Sequence, residues 1–297
     1  MILKKAEKDD LPNIVEFVVS MNRIPETKCA YIGTDQEEVL NYLEEIYEEN
    51  KTRFFWVESD NQLVGAIVGD ICEDNHSVEV IGPFVSCKLE NRYECACNLI
   101  ESVMGDLPDY RYSFYIDCAN AVVAEIVLSM RGKKQGNYYF MSLELTQNER
   151  KDARLTKKSI LYQNSDFEEK CVKRQIEDLH NTLFPTAYYN GRTILELTDN
   201  QHMIFYCMEE DKVVSYACFN IEEGAYLDFI GTDPNYRNQG YATILLECIT
   251  EFLKRKEYTK VELCVDDKHK EAIQLYHLLG FRVEEYNQSF VIDGNNS

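Results

Sequence analysis

The chain repeats itself, and that limits what it can fold into. Residues 54–65 (FFWVESDNQLVG) and 204–215 (IFYCMEEDKVVS) each carry an apolar strand, a polar turn and a second apolar strand. They align without a gap at a shift of about 150 residues. Residues 78–85 and 225–232 follow at nearly the same shift. Each is an apolar run with a central acid, Glu79 or Asp228, and an Ile-Gly pair, Ile81-Gly82 or Ile230-Gly231. Residues 129–132 then fall where 277–280 fall. Three landmarks in one order predict two copies of one fold. A chain of 297 residues has room for two, since a domain spans ~100–200 residues. The expected division is 1–148 and 155–297, with the polar run Gln147-Asn148-Glu149-Arg150-Lys151-Asp152 in a linker between Thr146 and Lys158.

The second copy reads as a mixture of strands and helices. Residues 159–163 form a short strand, and 166–184 a helix stopped by Pro185. Residues 203–208 and 213–220 form a hairpin, and 225–232 a third strand. The loop from Asp233 leads into a helix with Ala242, Leu245, Leu246, Ile249 and Leu253 on one face. Lys254, Arg255 and Lys256 close it, at the negative end of its dipole. A strand at 261–265 follows, then a helix over 268–279 with Asp267 as N-cap and Gly280 as its left-handed stop. Residues 281–284 and 289–292 read as a final pair of strands. In the first copy, Thr34-Asp35-Gln36-Glu37 reads as a capping box for an acidic helix running through Glu49.

Charge and composition exclude several functions. Acidic residues outnumber basic ones by 52 to 31, a formal net charge of −21. Such a field repels nucleic acid and anionic membranes, and it either favours a cationic partner or serves solubility alone. No apolar run reaches the ~18 residues of a membrane span, and the opening MILKKAEKDD lacks the apolar core of a signal peptide. A cytoplasmic protein without membrane or nucleic-acid partners is expected. The 11 cysteines are odd in number and include no CxxC pair, which points to reduced thiols and no metal. His180, His202 and His277 receive no role.

The loop after residue 232 carries the chemistry. Gly240 opens the helix, where a backbone without a side chain lets a ligand come close. The first four N–H groups of a helix lack intrahelical partners and sit at its positive end, an anion cradle suited to a pyrophosphate. Arg237 adds charge nearby. Taken alone, one Gly and one Arg at a helix start fit a plain turn better. The context is more specific: Arg237-Asn238-Gln239-Gly240-Tyr241-Ala242 fits (Arg/Gln)-x-x-Gly-x-(Gly/Ala), follows Ile230-Gly231-Thr232, and precedes Ala272-Ile273-Gln274-Leu275-Tyr276 and Gly280-Phe281.

In these motifs the sequence resembles the GNAT family of N-acetyltransferases, over about the last 140 residues well and over the first half weakly. The resemblance implies two tandem α/β (α+β) domains, each a mixed, mostly antiparallel sheet flanked by helices. It implies acetyl-coenzyme A as co-substrate and a primary amine of a small molecule or peptide as acceptor. The backbone of Ile230, Gly231 and Thr232 would hold the pantetheine arm, and residues Asn238, Gln239, Gly240, Tyr241, Ala242 and Thr243, with Arg237, the pyrophosphate. Tyr276 matches the family's proton donor to the leaving thiolate. His269 stands where many members have an Asn near the cofactor. Asp228, on the strand beside the expected cofactor, is the candidate base.

The first copy departs from this pattern. Its corresponding loop, residues 86–96, has no glycine and places Glu90 and Glu94 where a phosphate would lie. Leu128 stands four residues before Gly132, in place of the tyrosine. A degenerate, non-catalytic copy is expected. The alternative to an enzyme is a coenzyme A-binding sensor or interaction protein. Either a monomer or a homodimer fits, because two fused copies can imitate a dimer.

Overall fold

The structure is a computed structural model that describes residues 1–50, 53–105, 107–145, 159–162, 170–199, 201–222 and 224–294. It forms two compact units, Met1–Tyr139 with Glu285–Ser297, and Phe140–Glu284. The expected linker at 146–158 and the expected helix start at 166–169 lie outside the described residues.

The first unit runs β1 (Ile2–Lys5), α1 (Leu11–Asn22), α2 (Gln36–Asn50), β2 (Phe54–Ser59), β3 (Gln62–Cys72), β4 (Ser77–Val85), α3 (Arg92–Met104), β5 (Arg111–Asp117) and α4 (Ala121–Ser129), and β6 (Lys133–Glu144) follows. Its strands lie in the order β1-β2-β3-β4-β5. Neighbours are antiparallel except β4 and β5, joined by the crossover helix α3. Residues 287–292, near the chain's end, pair antiparallel with β5 and complete this unit. Strand alternation buries both faces. Phe54, Ala66, Val68 and Ile81 pack with α1 and α2, whereas Val57, Ile67, Val80 and Phe114 pack with α3 and α4. The cap of α2 is Asp35, whose carboxylate accepts from the N–H groups of Glu37 and Glu38 at 3.0 and 3.1 Å, in place of the expected Thr34.

The second unit uses the same sequence of elements: β7 (Ser159–Tyr162), α5 (Lys170–Leu183), α6 (Gly191–Glu196), β8 (His202–Glu209), β9 (Lys212–Asn220), β10 (Ala225–Thr232), α7 (Tyr241–Arg255), β11 (Lys260–Asp266) and α8 (Lys270–Leu278). Its strands lie in the order β7-β8-β9-β10-β11, with only β10 and β11 parallel. Val172, Ile176 and Ile194 bring α5 and α6 onto one face of the sheet, against Ile204, Tyr206 and Tyr216. On the other face Phe252 of α7 meets Phe205 and Phe219 edge-on. Leu245, Leu246, Ile249 and Leu253 of α7 are buried as the helical period requires; each contributes about 1.5–3 kcal/mol.

Two expected boundaries differ. The final stretch is one strand, β12 (Arg282–Ile292), not a pair, because residues 285–288 continue the extended backbone between the two apolar runs. The last helix begins at Lys270 with His269 as N-cap. Asp266 rather than Asp267 holds the turn before it, accepting from the Lys268 N–H at 2.8 Å.

Candidate functional site

Strand β10 opens the second unit. It pairs with β11 only from Ala225↔Val261 to Leu227↔Leu263. On its other side, the register with β9 slips between Leu227 and Phe229, leaving Asp228 as the extra residue of a bulge. A bulge bends its strand and increases the local twist, so β10 diverges from β11 beyond this point. Residues 230–232 still pair with β9, at Ile230↔Ala217, Gly231↔Tyr216 and Thr232↔Ser215. Their other edge faces a cleft. Gly231 is closely packed: an added Cβ would lie 2.5 Å from Leu183 Cδ1 and 3.2 Å from the Tyr216 ring, so Leu183 would have to move.

The loop beyond β10 is held from its first residue. Asp233 accepts from the Asn235 N–H at 2.9 Å and from the Lys212 ammonium at 2.6 Å. The Lys212 bond draws the Asp233 carboxyl below its ordinary range against the opposing effect of burial. Asn238 and Gly240 both take left-handed backbone, with φ of 59° and 83°. An added Cβ at Gly240 meets nothing within 4 Å, so the glycine serves backbone conformation and open approach, not packing. Gly240 is the N-cap of α7, and its carbonyl accepts the Ile244 N–H at 3.0 Å. The N–H groups of Ala242 and Thr243 lie in the turn before, at the helix's positive end.

These pieces line one cleft of about 680 Å³. It brings together Ile230, Gly231, Thr232, Arg237, Asn238, Gly240, Tyr241, Ala242, Thr243, His269 and Tyr276 of the residues singled out in the sequence. Gln239 is not part of the lining and reaches back toward the Asn235 carbonyl at 3.5 Å. Tyr241 is buried, and its hydroxyl donates to Glu209. Lys268 and Lys270 also line the cleft and were missed in the sequence. The available signal was their position beside His269 at the start of α8. With Arg237 they concentrate positive charge in a strongly acidic protein. Tyr276 is 5% exposed and reaches the cleft from α8; burial pushes its phenol well above the ordinary range.

Asp228 lines a different cavity of the same unit, of about 290 Å³. Its carboxylate accepts from Asn220 Nδ2 at 3.2 Å through both oxygens. Burial raises its pKa, and the Asn220 bond opposes that rise. The cavity is walled by Tyr188, Tyr226 and Phe229, and the cleft begins one residue further along β10, at Ile230. Asp228 is therefore beside the expected cofactor cleft but not inside it.

His180 acquires a structural role the sequence did not reveal. Fully buried on α5, it lies 2.6 Å from the Tyr216 hydroxyl through Nδ1 and 2.9 Å from the Tyr189 carbonyl through Nε2. A carbonyl only accepts, so Nε2 is the donor and Nδ1 accepts from Tyr216. Burial lowers its pKa and keeps the ring neutral. His180 thus ties the Tyr188–Tyr189 wall of the smaller cavity to the sheet.

The first unit builds the same places differently. Asn91 caps α3, and Glu94 sits in that helix's first turn. The left-handed stop after α4 is Arg131, with φ of 66°, where Gly280 follows α8. Gly132 N–H donates to the Val127 carbonyl at 2.8 Å, as Phe281 N–H donates to Tyr276 at 3.0 Å. The counterpart of Tyr276 is therefore Val127, not Leu128; neither carries a hydroxyl.

No described helix is long and apolar enough to cross a membrane. Among the described residues no group of three or more His, Cys, Asp or Glu could hold a metal ion.

Residues 167–281 match the sequence model of the acetyltransferase (GNAT) family. The whole chain is similar in fold to a GCN5-related N-acetyltransferase from Sphaerobacter thermophilus, at 14% identity, a TM-score of 0.69, and coverage of 98% of this chain and 95% of that one. It is similar also to a tandem GNAT protein from the clavulanic acid biosynthesis pathway, at 12% identity and a TM-score of 0.62 over 100% of both chains. A third similar fold is a GNAT-family acetyltransferase from Colwellia psychrerythraea, at 11% identity and a TM-score of 0.51, covering 98% and 99%. Comparison with curated proteins finds no match in sequence.

Proposed function

We propose that the protein is an N-acetyltransferase of the cytoplasm, a reading supported by the match of residues 167–281 to the acetyltransferase (GNAT) family model. It moves an acetyl group from acetyl-coenzyme A to a primary amine by direct attack in a ternary complex. One observation carries the reading: the open edge of β10, the left-handed Gly240 at a helix start and the buried Tyr276 meet in one cleft.

The residues present fit the co-substrate. The edge at Ile230, Gly231 and Thr232 offers main-chain groups to an amide-bearing arm, as an added strand would. The Ala242 and Thr243 N–H groups offer donors to a diphosphate, and no side chain at Gly240 blocks it. Arg237, Lys268 and Lys270 add charge of the matching sign. Acetyl-coenzyme A supplies the activated acetyl thioester.

The protein's own part is proton handling. Burial keeps the Tyr276 phenol protonated, so it holds a proton ready for a departing sulfur. An ammonium cannot attack until it loses a proton. Asp228 takes that proton, directly or through water, and its raised pKa makes it the stronger base. The first unit contributes structure rather than turnover.

The test is thiol release from acetyl-coenzyme A on adding an amine, alongside the thermal shift the co-substrate produces. A ligand that binds only the folded form raises the melting temperature. The parent should show both effects, and Gly240→Asp neither. Absence of a shift in the parent, or equal shifts in both proteins, contradicts the reading.

A further inference from the structure

The cavity beside the cleft constrains the acceptor. We infer that this cavity is the acceptor site and that it takes a compact primary monoamine carried on a single aromatic ring, or an apolar body of like size, with its ammonium toward Asp228. The inference rests on the acetyl-transfer reading above and narrows its acceptor.

Size is the first constraint. The cavity measures about 290 Å³. A water occupies about 30 Å³ of liquid, so the space holds about ten water-sized groups. That suits one ring with a short amine-bearing chain.

The wall is the second. Tyr188 lies against Tyr189 at 4.3 Å and Phe229 at 5.8 Å between ring centroids, yet it is 73% exposed. An aromatic ligand beneath it would bury apolar surface at about 25 cal/mol per Å². Tyr226 and Ile204 continue the apolar lining.

Charge is the third. Among the described residues of the lining Asp228 is the one carboxylate, held in place by Asn220, with His202 in the same wall. One carboxylate matches one ammonium. A polyamine or aminoglycoside would bring further charges against aromatic walls, where an unpaired charge is costly. An ordinary phenol titrates at about pH 10, so Tyr188 is neutral at pH 7 and adds no second anion.

Position is the fourth. Ile230, where the cofactor cleft begins, lies two residues from Asp228 on β10, about 7 Å along the strand. An amine resting at Asp228 is thus next to the place where the acetyl group would lie.

The experiment compares phenethylamine, spermidine, an aminoglycoside and a tripeptide with a free N-terminus as acceptors, in the full-length protein with acetyl-coenzyme A. Phenethylamine should show kcat/KM at least tenfold above each of the others. Tyr188→Ala, a change at an exposed ring that leaves the core intact, should raise the KM for phenethylamine about tenfold and leave the KM for acetyl-coenzyme A unchanged. If spermidine, the aminoglycoside or the tripeptide is preferred, or if Tyr188→Ala leaves the amine KM unchanged, the acceptor assignment fails while acetyl transfer stands. If none of the four amines releases thiol, both fail.

Discussion

Thr232 and Val85 hold the same place in the two units, each the last residue of its strand and paired with the aligned residues Ser215 and Gly65, and what surrounds them differs. In the second unit the strand ends on residues that line a cleft, and α7 starts on a left-handed glycine with open space around it. In the first unit Pro83, two residues before the strand's end, has no N–H to offer, Leu89 packs on the core, and α3 starts on Asn91 with Glu94 in its first turn. A carboxylate there satisfies the helix dipole itself and repels an anion. Tyr276 has Val127 as its counterpart. The scaffold of five strands and four helices survives in both units; what differs is whether main-chain donors are left accessible. Fold is kept by buried apolar positions, which both units have.

That contrast can be broken at several points. The largest expected effect is Tyr276→Phe, which should lower kcat about 100-fold, the lower range for a lost proton donor, with acetyl-coenzyme A affinity unchanged. A matching substitution in the first unit, Val127→Ala, should affect stability alone. Next, Asp228→Asn should reduce kcat/KM about tenfold and remove the acidic limb of the pH–rate profile. The sign follows from the raised pKa of Asp228: its base form grows as pH climbs through that value, so the parent's rate rises there and the variant's does not. Gly231→Ala forces a Cβ against Leu183 and should destabilise the protein by about 1–3 kcal/mol in a denaturant melt.

The smallest effect is the pH response of His180. Its folded pKa lies below the ordinary 6.5, so the unfolded chain binds a proton first as pH falls. The associated stability is full above about pH 6.5 and declines below it. The parent's melting temperature should therefore fall more steeply below that pH than that of His180→Gln. Equal slopes would remove the neutral, buried histidine from the account.

Much of this was legible in the sequence, for definite reasons. Hydrophobic period and turn residues fixed most of β8–β10 and α7, because an apolar face has to be buried at every turn or every second residue. The glycine at 240 marked the helix start as a backbone open to a ligand, whereas its left-handed φ of 83° is seen only in the structure. Other features left no local signal. Alternation says which face of a strand is buried, not which strand lies beside it, so the pairing of residues 287–292 with β5 was not legible. The bulge at Asp228 is a tertiary event, and with it came the separation of Asp228 from the cleft. His180 looked ordinary because Tyr189 is nine residues away and Tyr216 lies on another element. Lys268 and Lys270 gain meaning only once α8 starts beside α7.

The most direct test is a calorimetric titration of acetyl-coenzyme A into the parent, Gly240→Asp and Asn91→Asp, the last altering the first unit's helix start. The account predicts one site per chain in the parent, binding lost in Gly240→Asp, and an unchanged isotherm in Asn91→Asp. Two sites per chain, or binding that survives at 240 and disappears at 91, would contradict it.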